Sequence, residues 1–326
     1  MNFDLIESLE YIIKIVGKII NKIGTIKKTI EIHGPRKKVK EFFDYVSKIK
    51  DKEILKIILK IYKNDTNHNT IYWACRNNNL EMVKVLIGVF GDKLQISKNA
   101  IYCACRNNNI KIVKELVRLF KENLPIDVNA IFAICTNGNL EIAKVLIGVF
   151  GDKLPVDEYT IYYACKRNNL KMVKMLISVF GDKLPVNDRT LSYACEYGNL
   201  EMFKLLVSVF GYKLPIDRNA IFEACYNGNL KIVKMLISVF SYNLPIDSGA
   251  IYWACYNGNI EIVKMLVNKY GDKLPISKDT LILACKNNNL EIVKMLISVF
   301  GDKLPIDENK IKEVCKNNEI LELLKI

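Results

Sequence analysis

Residues 250–267 read Ala-Ile-Tyr-Trp-Ala-Cys-Tyr-Asn-Gly-Asn-Ile-Glu-Ile-Val-Lys-Met-Leu-Val. The stretch reads as a helix, a turn at Asn257-Gly258-Asn259 and the start of a second helix, and it is one copy of many. Its Ala254-Cys255 pair recurs as Ala74-Cys75, Ala104-Cys105, Ala164-Cys165, Ala194-Cys195, Ala224-Cys225 and Ala284-Cys285. Ile134-Cys135 and Val314-Cys315 fill the remaining places, and every step is 30 residues. A fixed period of this size marks a solenoid of stacked supersecondary units.

Each copy carries its own punctuation. In the copy that opens at Pro215, Asp217 is an N-capping residue, able to accept a backbone N–H of the first helical turn. The matching positions hold Ser97, Asp127, Asp157, Asn187, Asp247, Ser277 and Asp307, all of the capping type. A first helix is expected over 218–227. Gly228 ends it, and the equivalents are Gly or Asn, which tolerate the left-handed conformation at that point. Asn229 then caps a second helix over 230–240, and Leu244 turns inward from the loop that follows. Pro245 cannot continue a helix.

The second helix is apolar almost all round, with mainly Lys231, Lys234 and Ser238 polar. Such a helix must be covered on several sides. One unit cannot do this, whereas stacked neighbours can, so stability is expected only in the array. Burying each large apolar side chain stabilises by about 1.5–3 kcal/mol before entropy is subtracted.

At the level of residues, the stretch resembles the two-helix core of an ankyrin repeat. The family pattern T-P-L-H-x-A-A-x-x-G-H-x-E-V-V-K-x-L-L is matched by Ala254-Cys255, by the turn at 257–259 and by the second helix from Glu261 to Val267. The match recurs nine times in 64–326. The Thr-Pro opening is absent, and the ankyrin period is about 33 residues. The missing residues fall in the loop that would form the β-hairpin finger. The expectation is an all-α, ankyrin-like helix-pair solenoid with short inter-repeat loops lacking clear β-hairpin fingers. Arrays this rich in Ile, Lys and Asn are similar to those of giant amoebal viruses.

Outside the regular copies, residues 1–30 read as an N-terminal amphipathic helix and 31–63 as a degenerate N-terminal cap repeat. Nine repeats then fill 64–326, the last truncated. No apolar run in 1–25 is long enough to span a bilayer, and no cleavage site follows, so no transmembrane segment and a cytoplasmic location are expected. An amphipathic start can also lie on a membrane surface, which keeps a membrane-tethered adaptor as an alternative.

Chemistry finds little footing. Nine of the 10 cysteines occupy one repeat position. Packed helices lie about 8–10 Å apart, whereas a disulfide needs Cα atoms within about 7 Å. Free, buried thiols are therefore expected, with Cys103 directed to another face than Cys105. The only histidines are His33 and His68, and no Cys-x-x-Cys occurs, so neither a metal site nor a catalytic base is expected. No cofactor motif is present. An enzyme is not expected.

The net charge of +13 keeps acidic partners in view. Lys84, Lys114, Lys144, Lys174, Lys204, Lys234, Lys264 and Lys294 form a ladder that could track phosphates. More than half of the surplus charge lies in 1–64, however, so the repeats are only mildly basic. A nucleic-acid scaffold stands as an alternative, and nucleic acid is not the expected partner.

What varies between copies carries the functional signal. The residues just before and just after the Ala-Cys pair are three apart and share a helix face. Their identities include Trp73, Arg76, Arg106, Tyr163, Lys166, Tyr193, Glu223, Tyr226, Trp253 and Tyr256. Resemblance to ankyrin proteins implies that these positions line a concave groove that holds partners. Trp, Tyr and Arg are the side chains enriched at binding hot spots. The expected function is a scaffold or adaptor that binds a protein of unknown identity.

Overall fold

Within each compact unit, the apolar second helix of a copy packs against the second helix of the adjacent copy. The structure, a computed structural model, describes residues 69–326 together with Gly17, Ile20 and Asn21. The expected N-terminal helix over 1–30 and cap over 31–63 lie outside the described residues. Two compact units are distinguished, up to Pro155 and from Val156 onward.

In the first unit, α1 (Asn69–Arg76), α3 (Lys98–Arg106) and α5 (Val128–Asn137) pack in a row. The second helices α2 (Leu80–Phe90), α4 (Ile110–Phe120) and α6 (Leu140–Phe150) form a row behind them. In the second unit, the first-helix row is α7 (Glu158–Lys166), α9 (Thr190–Glu196), α11 (Arg218–Tyr226), α13 (Ser248–Tyr256), α15 (Lys278–Lys286) and α17 (Glu308–Val314). The other row is α8 (Leu170–Phe180), α10 (Leu200–Phe210), α12 (Leu230–Phe240), α14 (Ile260–Tyr270), α16 (Leu290–Phe300) and α18 (Asn318–Leu324). Among the described residues there is no strand, and no helix is long and apolar enough to cross a membrane.

The core lies between the rows. Each Ala-Cys pair of a first helix is buried there, except that Ile134 and Val314 replace Ala and Val314 is only half-buried. The loop leucines Leu94, Leu124, Leu154, Leu184, Leu214, Leu244, Leu274 and Leu304 are all buried, so the loop seals the open end of each helix pair. All 10 cysteines are free and buried, including Cys103, which the sequence directs to another face.

Capping follows the expected residues with five exceptions. Asp127, Asp157, Asp217, Asp247 and Asp307 accept first-turn N–H groups. Asn187 accepts from the Arg189 N–H, but Arg189 holds the N-cap position and the helix begins only at Thr190. Ser97 and Ser277 accept no such bond; the Ser277 hydroxyl is instead 3.0 Å from that of Thr280. Asn229 and Asn259 likewise start α12 and α14 without a side-chain cap. Where the preceding repeat offers Asn at the left-handed position, its Oδ1 accepts from the next Asn, as in Asn109 to Asn78 and Asn199 to Asn168. Asn229 and Asn259 face Gly198 and Gly228, which have no such oxygen; Asn289 faces Gly258 and still accepts from the Ile292 N–H.

The truncated repeat departs from the rule. Its expected left-handed residue, Asn318, is helical, because Glu319 replaces the usual capping Asn and Asn317 caps α18 two residues early.

Asn has a second role between repeats. The last carbonyls of a helix lack partners within it. Asn107 Nδ2 donates to the carbonyls of Cys75 and Arg76 at 2.9 and 3.1 Å. Asn137 does the same to Cys105 and Arg106, both at 3.1 Å. Asn257 and Asn287 donate to the carbonyls of Tyr226 and Tyr256. Each such Asn closes the end of the first helix one repeat earlier. Tyr197 substitutes with its hydroxyl, which donates to the Lys166 carbonyl at 3.1 Å.

Candidate docking face

Residues on either side of the buried Ala-Cys pair sit at the rim of the first-helix row. In the first unit this rim is largely closed. Trp73 is only 7% exposed, so the rim is covered at this place. The Arg76 guanidinium lies 4.8 Å from its ring centroid, and Cys103 and Ala133 at the matching positions are buried too. Arg76 and Arg106 remain exposed.

The second unit differs, because from Tyr163 to Leu283 its side chains at the position before Ala-Cys stand half out of the core. Tyr163, Tyr193, Glu223, Trp253 and Leu283 are all half-buried, and Lys166, Tyr226 and Tyr256 are exposed. They gather into two aromatic clusters.

The first cluster joins α7 to α9. The Tyr162 and Tyr193 hydroxyls are 3.1 Å apart, with ring centroids 5.3 Å apart. Tyr163 meets Tyr162 edge to face at 4.9 Å. The Lys166 ammonium reaches 5.9, 5.9 and 5.8 Å from the rings of Tyr162, Tyr163 and Tyr193. Burial, and then the Tyr162 hydroxyl, raise the Tyr193 phenol well above its ordinary value.

The second cluster joins α11 to α13. Trp253 is its centre, with Tyr226, Tyr252, Tyr256 and Phe222 at centroid distances of 4.6, 5.1, 5.2 and 6.1 Å, all edge to face. Tyr226 and Tyr256 keep 45% and 49% of their surface exposed, so the cluster is open to a large partner. Aromatic contacts of this kind fix the rings before any partner arrives.

Between the clusters stand two carboxylates, Glu196 at the end of α9 and Glu223 on α11. Burial first, then Glu196 and Asp217, raise the Glu223 carboxyl above its ordinary value. Asp217 is itself held by the Ser192 hydroxyl at 2.6 Å.

The expected set thus divides. Tyr163, Lys166 and Tyr193 come together, as do Tyr226, Trp253 and Tyr256, with Glu223 beside the second group. Trp73, Arg76 and Arg106 belong to the other unit. Tyr162, Phe222 and Tyr252 escaped sequence reasoning because they occupy an aromatic position of the repeat consensus and read as core. The available signal was helical spacing, since Tyr162 and Phe222 lie four residues before Lys166 and Tyr226.

Half of the lysine ladder is engaged in ion pairs, with Lys84 paired to Glu81 within its own helix. Lys174 pairs with Glu201 at 2.5 Å, Lys264 with Glu291 at 2.8 Å and Lys294 with Glu319 at 3.1 Å, each one repeat on. Among the described residues no group of three His, Cys, Asp or Glu side chains could hold a metal ion. Burial raises the thiols of Cys105, Cys255 and Cys285 to about 12, which disfavours the reactive thiolate form at neutral pH.

A family model described as ankyrin repeats (3 copies) matches residues 43–131, 130–219, 191–276, 221–307 and 251–324. No curated protein matches the chain.

Proposed function

The chain belongs to the ankyrin-repeat family, and on that premise we propose that it is a scaffold or adaptor whose first-helix rim in the second unit docks a protein partner. Ankyrin repeats generally serve as protein-interaction modules. The observation that carries the reading is the Trp253 cluster. Four aromatic rings are pre-set around one indole, and two of its tyrosines are about half exposed. Aromatic residues in a pre-formed patch supply binding energy at low entropic cost. A contiguous apolar patch at the surface of a monomer commonly marks an interaction site.

Nucleic acid is the weaker reading, because three of the eight lysines that could follow a phosphate backbone pair with glutamates of the next repeat. The test is affinity capture from cell lysate at physiological salt, with and without nuclease. Wild type is compared with the Tyr226→Ala/Trp253→Ala/Tyr256→Ala variant, matched for melting temperature. A stoichiometric protein retained by wild type and lost by the variant supports docking. Capture that disappears with nuclease and ignores the variant overturns it.

A further inference from the structure

We propose that Glu196 and Glu223, together with the Tyr226–Trp253–Tyr256 surface, receive a lysine or arginine side chain presented by a protein segment. The inference rests on the docking reading above and gives it a chemistry.

Cations seek aromatic faces, and an arginine or lysine within about 6 Å of a ring centroid is attracted by the ring quadrupole. Two of the three aromatic groups on the first helices already hold a cation of their own. Arg76 lies over Trp73, and Lys166 lies over Tyr162, Tyr163 and Tyr193. Among the described residues, no cation of this chain lies over Tyr226, Trp253 or Tyr256. The same residue types in the same repeat positions are therefore cation-loaded at Trp73 and at the Tyr162–Tyr163–Tyr193 cluster and not at the Trp253 cluster.

The carboxylates add an independent argument. Glutamates on the second helices find lysines, as Glu201, Glu291 and Glu319 do. Glu196 and Glu223 have no ion pair among the described residues. They lie on the adjacent helices α9 and α11, and Glu223 is one turn before Tyr226, so carboxylate and ring share a face. Burial first, then Glu196 and Asp217, raise the cost of ionising Glu223. An incoming cation relieves the repulsion and gains the ring faces in one step.

The overall charge of +13 does not oppose this. The Debye length is about 8 Å at physiological ionic strength, so distant lysines are screened while two adjoining carboxylates are not. The half-exposed tyrosines around the carboxylates fit apolar residues flanking the basic one.

Short random peptides displayed on phage are selected on the full chain, and the selected peptides are synthesised for titration. The expected peptides share a Lys or Arg flanked by apolar residues. Glu196→Gln/Glu223→Gln weakens them at least about tenfold, a Gln in place of the peptide's basic residue does the same, and the two losses do not add, as required of a direct pair. Neutral or acidic peptides that need Tyr226 and Tyr256 but bind the glutamine variant unchanged overturn the cation inference and leave docking standing. Peptides indifferent to both Tyr226→Ala/Tyr256→Ala and the glutamine pair, or no selected peptide at all, overturn both.

Discussion

The Tyr226 ring stands at 90° to the Trp253 indole with centroids 4.6 Å apart, although the two residues belong to successive repeats. The contact makes a surface feature part of the stacking between α11 and α13. Removing Trp253 therefore acts on two quantities. Trp253→Ala is expected to lower stability by about 1–3 kcal/mol through lost packing of a half-buried aromatic, and to abolish partner capture. Tyr256→Ala removes a more exposed ring, so it is expected to weaken capture while changing stability by less than about 1 kcal/mol. Urea midpoints and capture yields of the two variants separate these effects. Equal loss of stability in both would contradict the packing described for Trp253.

The asparagine ladder predicts an uneven mutational pattern at one repeat position. Asn107 and Asn137 each close two carbonyls of the preceding repeat. Asn227, at the same position, donates instead to the Glu223 carbonyl of its own helix. Asn107→Ala and Asn137→Ala are expected to cost about 1–2 kcal/mol each, because part-buried acceptors lose their donor. Asn227→Ala is expected to cost less than half as much. Urea titration of the three variants checks the order.

Much of this architecture is legible in the residues themselves. The 30-residue recurrence of Ala-Cys gives the helix pair, the inward loop leucines and the buried thiols, because packing leaves one solution per position. The asparagines are only half legible. Their tolerance of positive φ can be read from the sequence, as at Asn78, Asn108, Asn168 and Asn288. The bonds from one repeat to the next cannot, since they depend on the spacing of stacked helices. The rim is legible by position but not by exposure. Trp73 and Trp253 occupy the same place in the repeat, yet Trp73 is buried beneath Arg76 and Trp253 is only half-buried. Three-residue spacing names a face, and only the neighbours decide how much of it is covered.

Ser241 and Lys121 mark two strained points with a simple remedy. Most copies place Gly after the second helix, with φ of 49° at Gly91 and 54° at Gly151. Ser241 adopts φ 43°, ψ −112° and Lys121 φ 47°, ψ −128° at the same place. This region costs a residue with a Cβ about 1–3 kcal/mol. The added entropy of Gly in the unfolded chain offsets part of any gain. Lys121→Gly and Ser241→Gly are each expected to stabilise by about 0.5–1 kcal/mol. Ser241→Gly gains less, since the Ser241 hydroxyl also accepts from Lys269 at 3.1 Å. A denaturant midpoint that falls in both variants would contradict the strain.

The buried thiols predict a loss of stability at alkaline pH. Burial raises Cys105, Cys255 and Cys285 from the ordinary value of 9.0 to about 12. In the unfolded chain each thiol loses its proton near its ordinary value; in the folded chain it holds the proton until about 12. The folded state therefore binds more protons across that window, and stability falls as pH rises through it. The contribution is intact below about pH 8.5. Each such thiol costs about 1.4 kcal/mol per pH unit once the unfolded form is ionised. Urea midpoints of wild type are expected to be flat in this respect from pH 7 to 8 and to drop steeply above about 9. Cys255→Ala shortens the thiol row by one and is expected to lessen the slope, although it is less stable than wild type at pH 7. A variant slope equal to that of wild type above pH 9 would mean that Cys255 ionises alike in both states, and that its burial does not hold the proton.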